Sequence, residues 1–166
     1  MEARCAGALK QLRGIVATFR MTSRAAPLRP SQYVAQLLQP LAQSVSEGGV
    51  AARLENDMRQ ELVQLTLERL ARHFLGVAGE TLSVVRKTES SLRRFKSRQR
   101  LAEGQAQAAA APSDTGSLVA QQLALDVEEF ARLAKTELGV DATQMEAYAE
   151  LVAVIAGGDE LEGAAA

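Results

Sequence analysis

Apolar positions recur at helical spacing along almost the whole chain. Leu9, Leu12, Ile15, Val16 and Phe19 share one stripe, which predicts a helix over 2–24. RAAPLRP (24–30) ends it, because Pro27 and Pro30 each lack an amide donor and restrict the residue before them. Ser31 then stands in N-cap position, and Val34, Leu37, Leu38, Leu41 and Val45 form the face of a second amphipathic helix. Pro40 sits inside that pattern and predicts a kink or a division. SEGG (46–49) reads as a turn.

Residues 50–99 carry the dominant pattern. Met58, Leu62 and Leu65 open an apolar stripe, and Val63, Leu67, Leu70, Phe74, Val77, Thr81, Val84, Thr88, Ser91 and Phe95 follow at alternating spacings of 4 and 3. Leu82, Val85 and Leu92 widen the stripe, which points to packing within a bundle rather than a strict two-stranded coiled coil. Gly76 and Gly79 predict a bend or break in the middle. AEGQAQAAAAPSDTGS (102–117) has too few large apolar residues to offset chain ordering and reads as a flexible linker.

Two shorter helices complete the pattern. One, over 118–137, turns Val119, Leu123, Val127, Phe130 and Ala134 inward and stops at Gly139. The other is capped by Asp141, with Gln144 three residues on, and buries Met145, Tyr148, Val152 and Ile155 before Gly157 and Gly158 end it. No stretch carries a convincing strand pattern. The expected fold class is therefore all-α, an elongated bundle of four to five amphipathic helices with one long helix. Its expected parts are a bundle region (1–101), the linker (102–117), a C-terminal helical pair (118–157) and a disordered acidic tail (158–166). The expected core comprises Val34, Leu37, Leu38, Leu41, Leu67, Leu70, Phe74, Val77, Leu92, Phe95, Leu123, Val127, Phe130, Tyr148 and Val152.

Composition agrees with this picture. Hydrophobic residues make up 47% of the 166 residues but aromatics only 4%, so Ala and Leu carry the apolar content and favour helix. Charge adds something new. Residues 1–100 hold 17 Lys/Arg against 8 Asp/Glu, and residues 101–166 hold 2 against 12, so a net charge of −1 conceals halves of +9 and −10. That asymmetry fits an anion-binding front half, or one paired with its own acidic tail or an acidic partner.

Candidate chemistry is sparse. His73 and Cys5 are the only residues of their kinds, so zinc-finger, zincin and Cys–His spacings are missing. The sequence contains no G-x-S-x-G elbow, and no strand or G-K-S/T accompanies the glycines. Glu128 and Glu129 are adjacent on a helix and point apart, as on a solvated face. No metal or cofactor site is expected, and composition by itself leaves a Ser/His/Asp triad open.

The basic run ESSLRRFKSRQR (89–100) has more to offer. With the residues just before it, Arg86, Arg93 and Arg100 recur every seven positions as one cationic edge, and Arg94, Lys96 and Arg98 lie close by. These six form the candidate interaction surface. Three readings stay open at this point: a solvated helix end complementing its dipole, a contact for acidic protein or membrane headgroups, or a nucleic-acid patch.

Three stretches resemble a known family. SLVAQQLALDVEEFARLAKTELGVDATQMEAYAELVAVI (117–155) resembles the extreme C-terminus of subunit 2 of the conserved oligomeric Golgi complex, through Gln122, Leu123, Leu125, Asp126, Val127, then Leu138, Gly139, then Ala149, Glu150, Leu151 and Val152. FRMTSRAAPLRPSQYVAQLLQPL (19–41) is similar through Arg20, Thr22, Pro27, Ser31, Tyr33, Val34, Leu38, Pro40 and Leu41. TESSLRRFK (88–96) is similar through Glu89, Ser91, Leu92, Arg94 and Lys96, with Phe95 where the family has Leu. The resemblance implies a helical tethering-complex fold and a peripheral, non-enzymatic role on the cytoplasmic face of the Golgi membrane in retrograde vesicle traffic and glycosylation-enzyme recycling. It implies as partners the other subunits of the complex, vesicle-fusion proteins, small GTPases and the membrane surface, with no nucleic acid and no small-molecule substrate. Family members are several times longer than this chain, so it is expected to correspond to their C-terminal domain. A basic-helix module for nucleic acid or membrane is the alternative reading.

Overall fold

The computed structural model describes residues 5, 7–14, 26–103 and 115–157. Among these, four α-helices are α1 (Gln32–Val45), α2 (Asn56–Glu103), α3 (Thr115–Leu138) and α4 (Glu146–Ala156), with 3-10 turns at Leu9–Gln11, Val50–Arg53 and Ala142–Gln144. No strand occurs among the described residues. The fold is all-α, built around one long helix.

At 48 residues, α2 is about 72 Å long by the usual helical rise. Gly76 and Gly79 leave it unbroken, and Gly79 faces Val154 of α4. The glycine penalty is small beside the packing that surrounds it. Pro40 likewise lies inside α1 without ending it, because Leu37 and Leu38 before it and Leu41 after it are all buried in the same core. The long helix starts at Asn56 rather than residue 50, since Val50–Arg53 forms a 3-10 turn. The turn before it depends on Gly49, where an added Cβ would collide with the Ser44 and Gln43 carbonyls.

The other helices lie along α2 in opposite senses. Glu89 of α2 meets Gly116 at the start of α3, and Phe74 meets Phe130, so α3 runs antiparallel to α2. Gly79 faces Val154 and Arg86 lies near Gly157, so α4 runs parallel to it. Phe74 is the hub: its ring takes Tyr33 of α1 edge-on at 6.1 Å and Phe130 of α3 edge-on at 6.2 Å. Around it one continuous core collects Leu9 and Leu12, Val34 to Leu41, Val63 to Val85, Val119 to Ala134, and Leu151 and Ile155. The expected positions Ile15, Val16 and Phe19 lie outside the described residues, as do 104–114 of the expected linker and 158–166.

Three expected core residues are on the surface instead. Leu92 is 52% exposed, Phe95 66% and Val152 44%. Tyr148 is half-buried, while Leu151 takes the buried position next to Val152. The reason for Leu92 and Phe95 is length. The apolar stripe of α2 continues, but α3 begins beside Glu89 and α4 ends beside Arg86, so the helices that cover α2 stop there. The shorter helices cannot span 48 residues. Two boundaries also move: α3 starts at Thr115, inside the expected linker, and Asp141 caps the 3-10 turn while α4 begins later, at Glu146.

This packing predicts a sharp contrast between two phenylalanines of one stripe. Phe74→Ala should lower unfolding free energy by about 3–5 kcal/mol, and Phe95→Ala by less than about 0.5 kcal/mol. Urea unfolding of each variant measures both.

Candidate functional site

Asp126 gathers three hydrogen bonds, and it lies in the core. On α3, Val119, Leu123, Val127, Phe130 and Ala134 form the buried face, and Gln122 and Asp126 fall within the same face at helical spacing. Asp126 has no exposed surface. Its Oδ1 accepts from the Ser31 amide at 2.6 Å and from Gln122 Nε2 at 2.9 Å, and its Oδ2 accepts from the Tyr33 hydroxyl at 2.8 Å. Gln122 Nε2 also donates to the Arg29 carbonyl at 2.9 Å.

This cluster caps a helix from a distance. Ser31 has the extended N-cap conformation, but its own side chain makes no capping bond. The carboxylate of Asp126, 95 residues away, stands at that helix start and complements the positive end of α1. Burial, then the Asp126 charge and the bond to it, push the Tyr33 hydroxyl far above its usual range, so the phenol stays a donor. No buried side-chain N or O among the described residues lacks a partner. Both Asp126 oxygens and the donors that meet them are thus engaged inside the fold, as buried polar groups require.

A second carboxylate acts the same way. Glu89 of α2 accepts from the Gly116 amide, in the first turn of α3, at 2.7 Å. A Cβ on Gly116 would stand 3.0 Å from Glu89 Oε2, so the close approach favours glycine. Asp141 completes the set locally: Thr143 donates to it through both amide and hydroxyl, and these bonds hold its carboxyl below the usual range.

The candidate basic surface is divided by the structure. Arg86 is exposed and reaches the end of α4, with Nη2 4.0 Å from where a Gly157 side chain would begin. A cation there complements the helix's negative end. Arg93 and Arg94 are exposed on the part of α2 beyond the bundle, next to Leu92 and Phe95. Lys96, Arg98 and Arg100 also lie within α2, but their side chains fall outside the described residues. His73 is exposed, beside Lys10, Arg13 and Glu80 in an open groove of about 560 Å³. Arg13 and Glu80 pair across that groove at 3.0 Å, both well exposed, which is worth under about 1 kcal/mol. A second groove, of about 460 Å³, joins Glu61, Leu65 and Glu68 of α2 to Asp141, Met145 and Glu146. Neither groove is lined by the Asp126 cluster. Glu129 is paired with Arg132 at 2.6 Å rather than with Glu128. Among the described residues, no group of His, Cys, Asp and Glu could hold a metal ion.

What these features define is an all-α domain that presents helix surfaces to its surroundings and closes its polar cluster inside. Comparison with known proteins is specific about its kind. Residues 1–127 match the family described as "COG complex component, COG2, C-terminal", and the chain belongs to that family. It is 34% identical over 128 residues to conserved oligomeric Golgi complex subunit 2 of Arabidopsis thaliana, covering 75% of this chain and 16% of that protein. It is 26% identical over 152 residues to the Homo sapiens subunit 2, covering 92% of this chain and 20% of that protein. The Drosophila melanogaster subunit 2 is 28% identical over 159 residues, covering 89% and 20%. The chain therefore spans about a fifth or less of the length of these relatives. No solved structure matches it.

The buried phenol makes a pH prediction. Because the folded Tyr33 holds its proton above the unfolded value near 10, its contribution is complete below pH 10 and is lost as pH rises beyond it. Stability should fall by about 1.4 kcal/mol per pH unit above pH 10 from this residue alone. Urea titrations at pH 8, 10 and 11 should show a shallower decline for Tyr33→Phe than for the parent.

Proposed function

We propose that the chain is the C-terminal portion of a non-enzymatic subunit of a Golgi vesicle-tethering complex, acting by protein–protein contact in retrograde intra-Golgi transport and the recycling of glycosylation enzymes. The observation that carries this reading is the family match over residues 1–127. The Asp126 cluster supports it, since Ser31 and Tyr33 from one resemblance motif clasp Gln122 and Asp126 from another. The matching residues work together in this fold. Partners under this reading are the other subunits of the complex, with vesicle-fusion proteins, small GTPases and the Golgi membrane as further contacts on the cytoplasmic face. No helix among the described residues is long and apolar enough to cross a membrane, in keeping with peripheral attachment. The basic end of α2, from Arg86 onward, is the surface proposed for such contacts.

The test is affinity capture of the full-length gene product from cells of its source. The proposal expects the other subunits of the complex to be recovered in stoichiometric amounts. Charge reversal at Arg93, Arg94 and Lys96 should reduce recovery of a subset of them, or Golgi recruitment, while leaving the protein folded. Recovery of no complex subunit would refute the assignment.

A further inference from the structure

The geometry points to the projecting end of α2 as a docking seam for an acidic amphipathic helix. This deepens the role proposed above and rests on it only in taking this helix end as a contact surface.

The seam is a continuation of one that already works. Val77 and Thr81 of α2 are buried against the bundle, and Val84, Thr88, Ser91 and Phe95 extend the same line at the same spacing of 3, 4, 3 and 4. The line is uncovered first at the rim of the bundle, where Val84 is 56% exposed beside the buried Val85, and then beyond its end, where Phe95 is 66% exposed, while Phe74 in the same line has no exposed surface. Leu92, also uncovered, lies beside this line on the helix. A row that packs helices in its first half has the shape to pack a helix in its second.

Composition favours a helix over a lipid surface. Thr88 and Ser91 stand in the middle of the row, where small polar side chains permit close backbone approach but give an inserting helix little apolar area. Insertion in a bilayer interface scales with the apolar area buried, and three apolar side chains supply little. Charge decides what kind of helix fits. Lys87 and Arg94 lie on one flank of the row at helical spacing, and both are exposed. Flanking charges set partner choice in such packing, so cationic flanks select glutamate and aspartate on the partner and repel basic helices.

The test uses the chain's lack of tryptophan. Phe95→Trp places a sole indole in the seam, and since Phe95 is exposed the fold should tolerate it, as an unchanged urea midpoint would verify. The probes are two synthetic helical peptides with Leu at the seam positions, one flanked by Glu and the other by Lys, together with vesicles of phosphatidylcholine with and without phosphatidylserine. The inference expects red emission in the isolated chain and a saturable blue shift with the Glu peptide. The Lys peptide should bind at least about tenfold more weakly, and Lys87→Glu with Arg94→Glu should invert that preference. Equal affinity for both peptides would overturn it. So would a shift with phosphatidylserine vesicles alone, which assigns the surface to membrane, or a shift on concentrating the protein alone, which assigns it to a second copy. Emission already blue in the isolated chain would mean that its own residues cover the seam. Peptide discrimination without capture of complex subunits would leave this inference standing and remove the assignment above.

Discussion

A carboxyl group with no exposed surface needs hydrogen-bond donors, and Asp126 collects three from three different places: the Ser31 amide, the Tyr33 hydroxyl and the Gln122 side chain. Without it the Ser31 amide and the Tyr33 hydroxyl would lose the partner shown for them, and Gln122 Nε2 would keep only the Arg29 carbonyl. The removal of one member from such a buried set costs more than the set contributes on balance, because the remaining donors lose their partner out of reach of water. This single residue fixes where α1 begins, which way its first turn faces and how it sits on α3. The Phe74 ring, packed edge-on between Tyr33 and Phe130, then has a defined slot.

The same device, used again, sets the length of the bundle. Glu89 receives the first turn of α3, so that turn sits level with Glu89 on α2. Arg86 meets the end of α4 within a turn of that point. Two charged residues of α2, each matched to the opposite pole of a neighbouring helix, mark the limit of the covered core. Beyond them α2 continues on its own hydrogen bonds with a row of side chains that no helix among the described residues covers. Capping chemistry thus decides both what is buried and what is left for a partner.

Much of this was legible in the periodicity. The stripes through Val34 to Leu41, Val63 to Val85 and Val119 to Ala134 name the buried faces, because amphipathic helices leave little freedom about which side turns inward. Periodicity cannot say where a neighbour ends, and so Leu92 and Phe95 look like core until α3 and α4 are seen to stop. Gly76, Gly79 and Pro40 suggested breaks that packing overrides. Asp126 escaped notice as a structural residue, although a signal was present: Gln122 and Asp126 interrupt an otherwise apolar face at in-register positions. Polar residues there require partners, but nothing local could show that Tyr33 lay 93 residues earlier. The candidate surface was legible as a basic run. Its division into Arg86, engaged at a helix end, and Arg93 and Arg94, out in solvent, needed the third dimension.

The central claim is that the Asp126 cluster acts as one unit joining α1 to α3. A double-mutant cycle between Tyr33→Phe and Asp126→Ala, followed by urea unfolding at neutral pH, tests it most directly. The account predicts a coupling of about 1–3 kcal/mol, as expected within one buried network, so that the second substitution costs far less once the first is made. Additive effects, with coupling below about 0.3 kcal/mol, would contradict it.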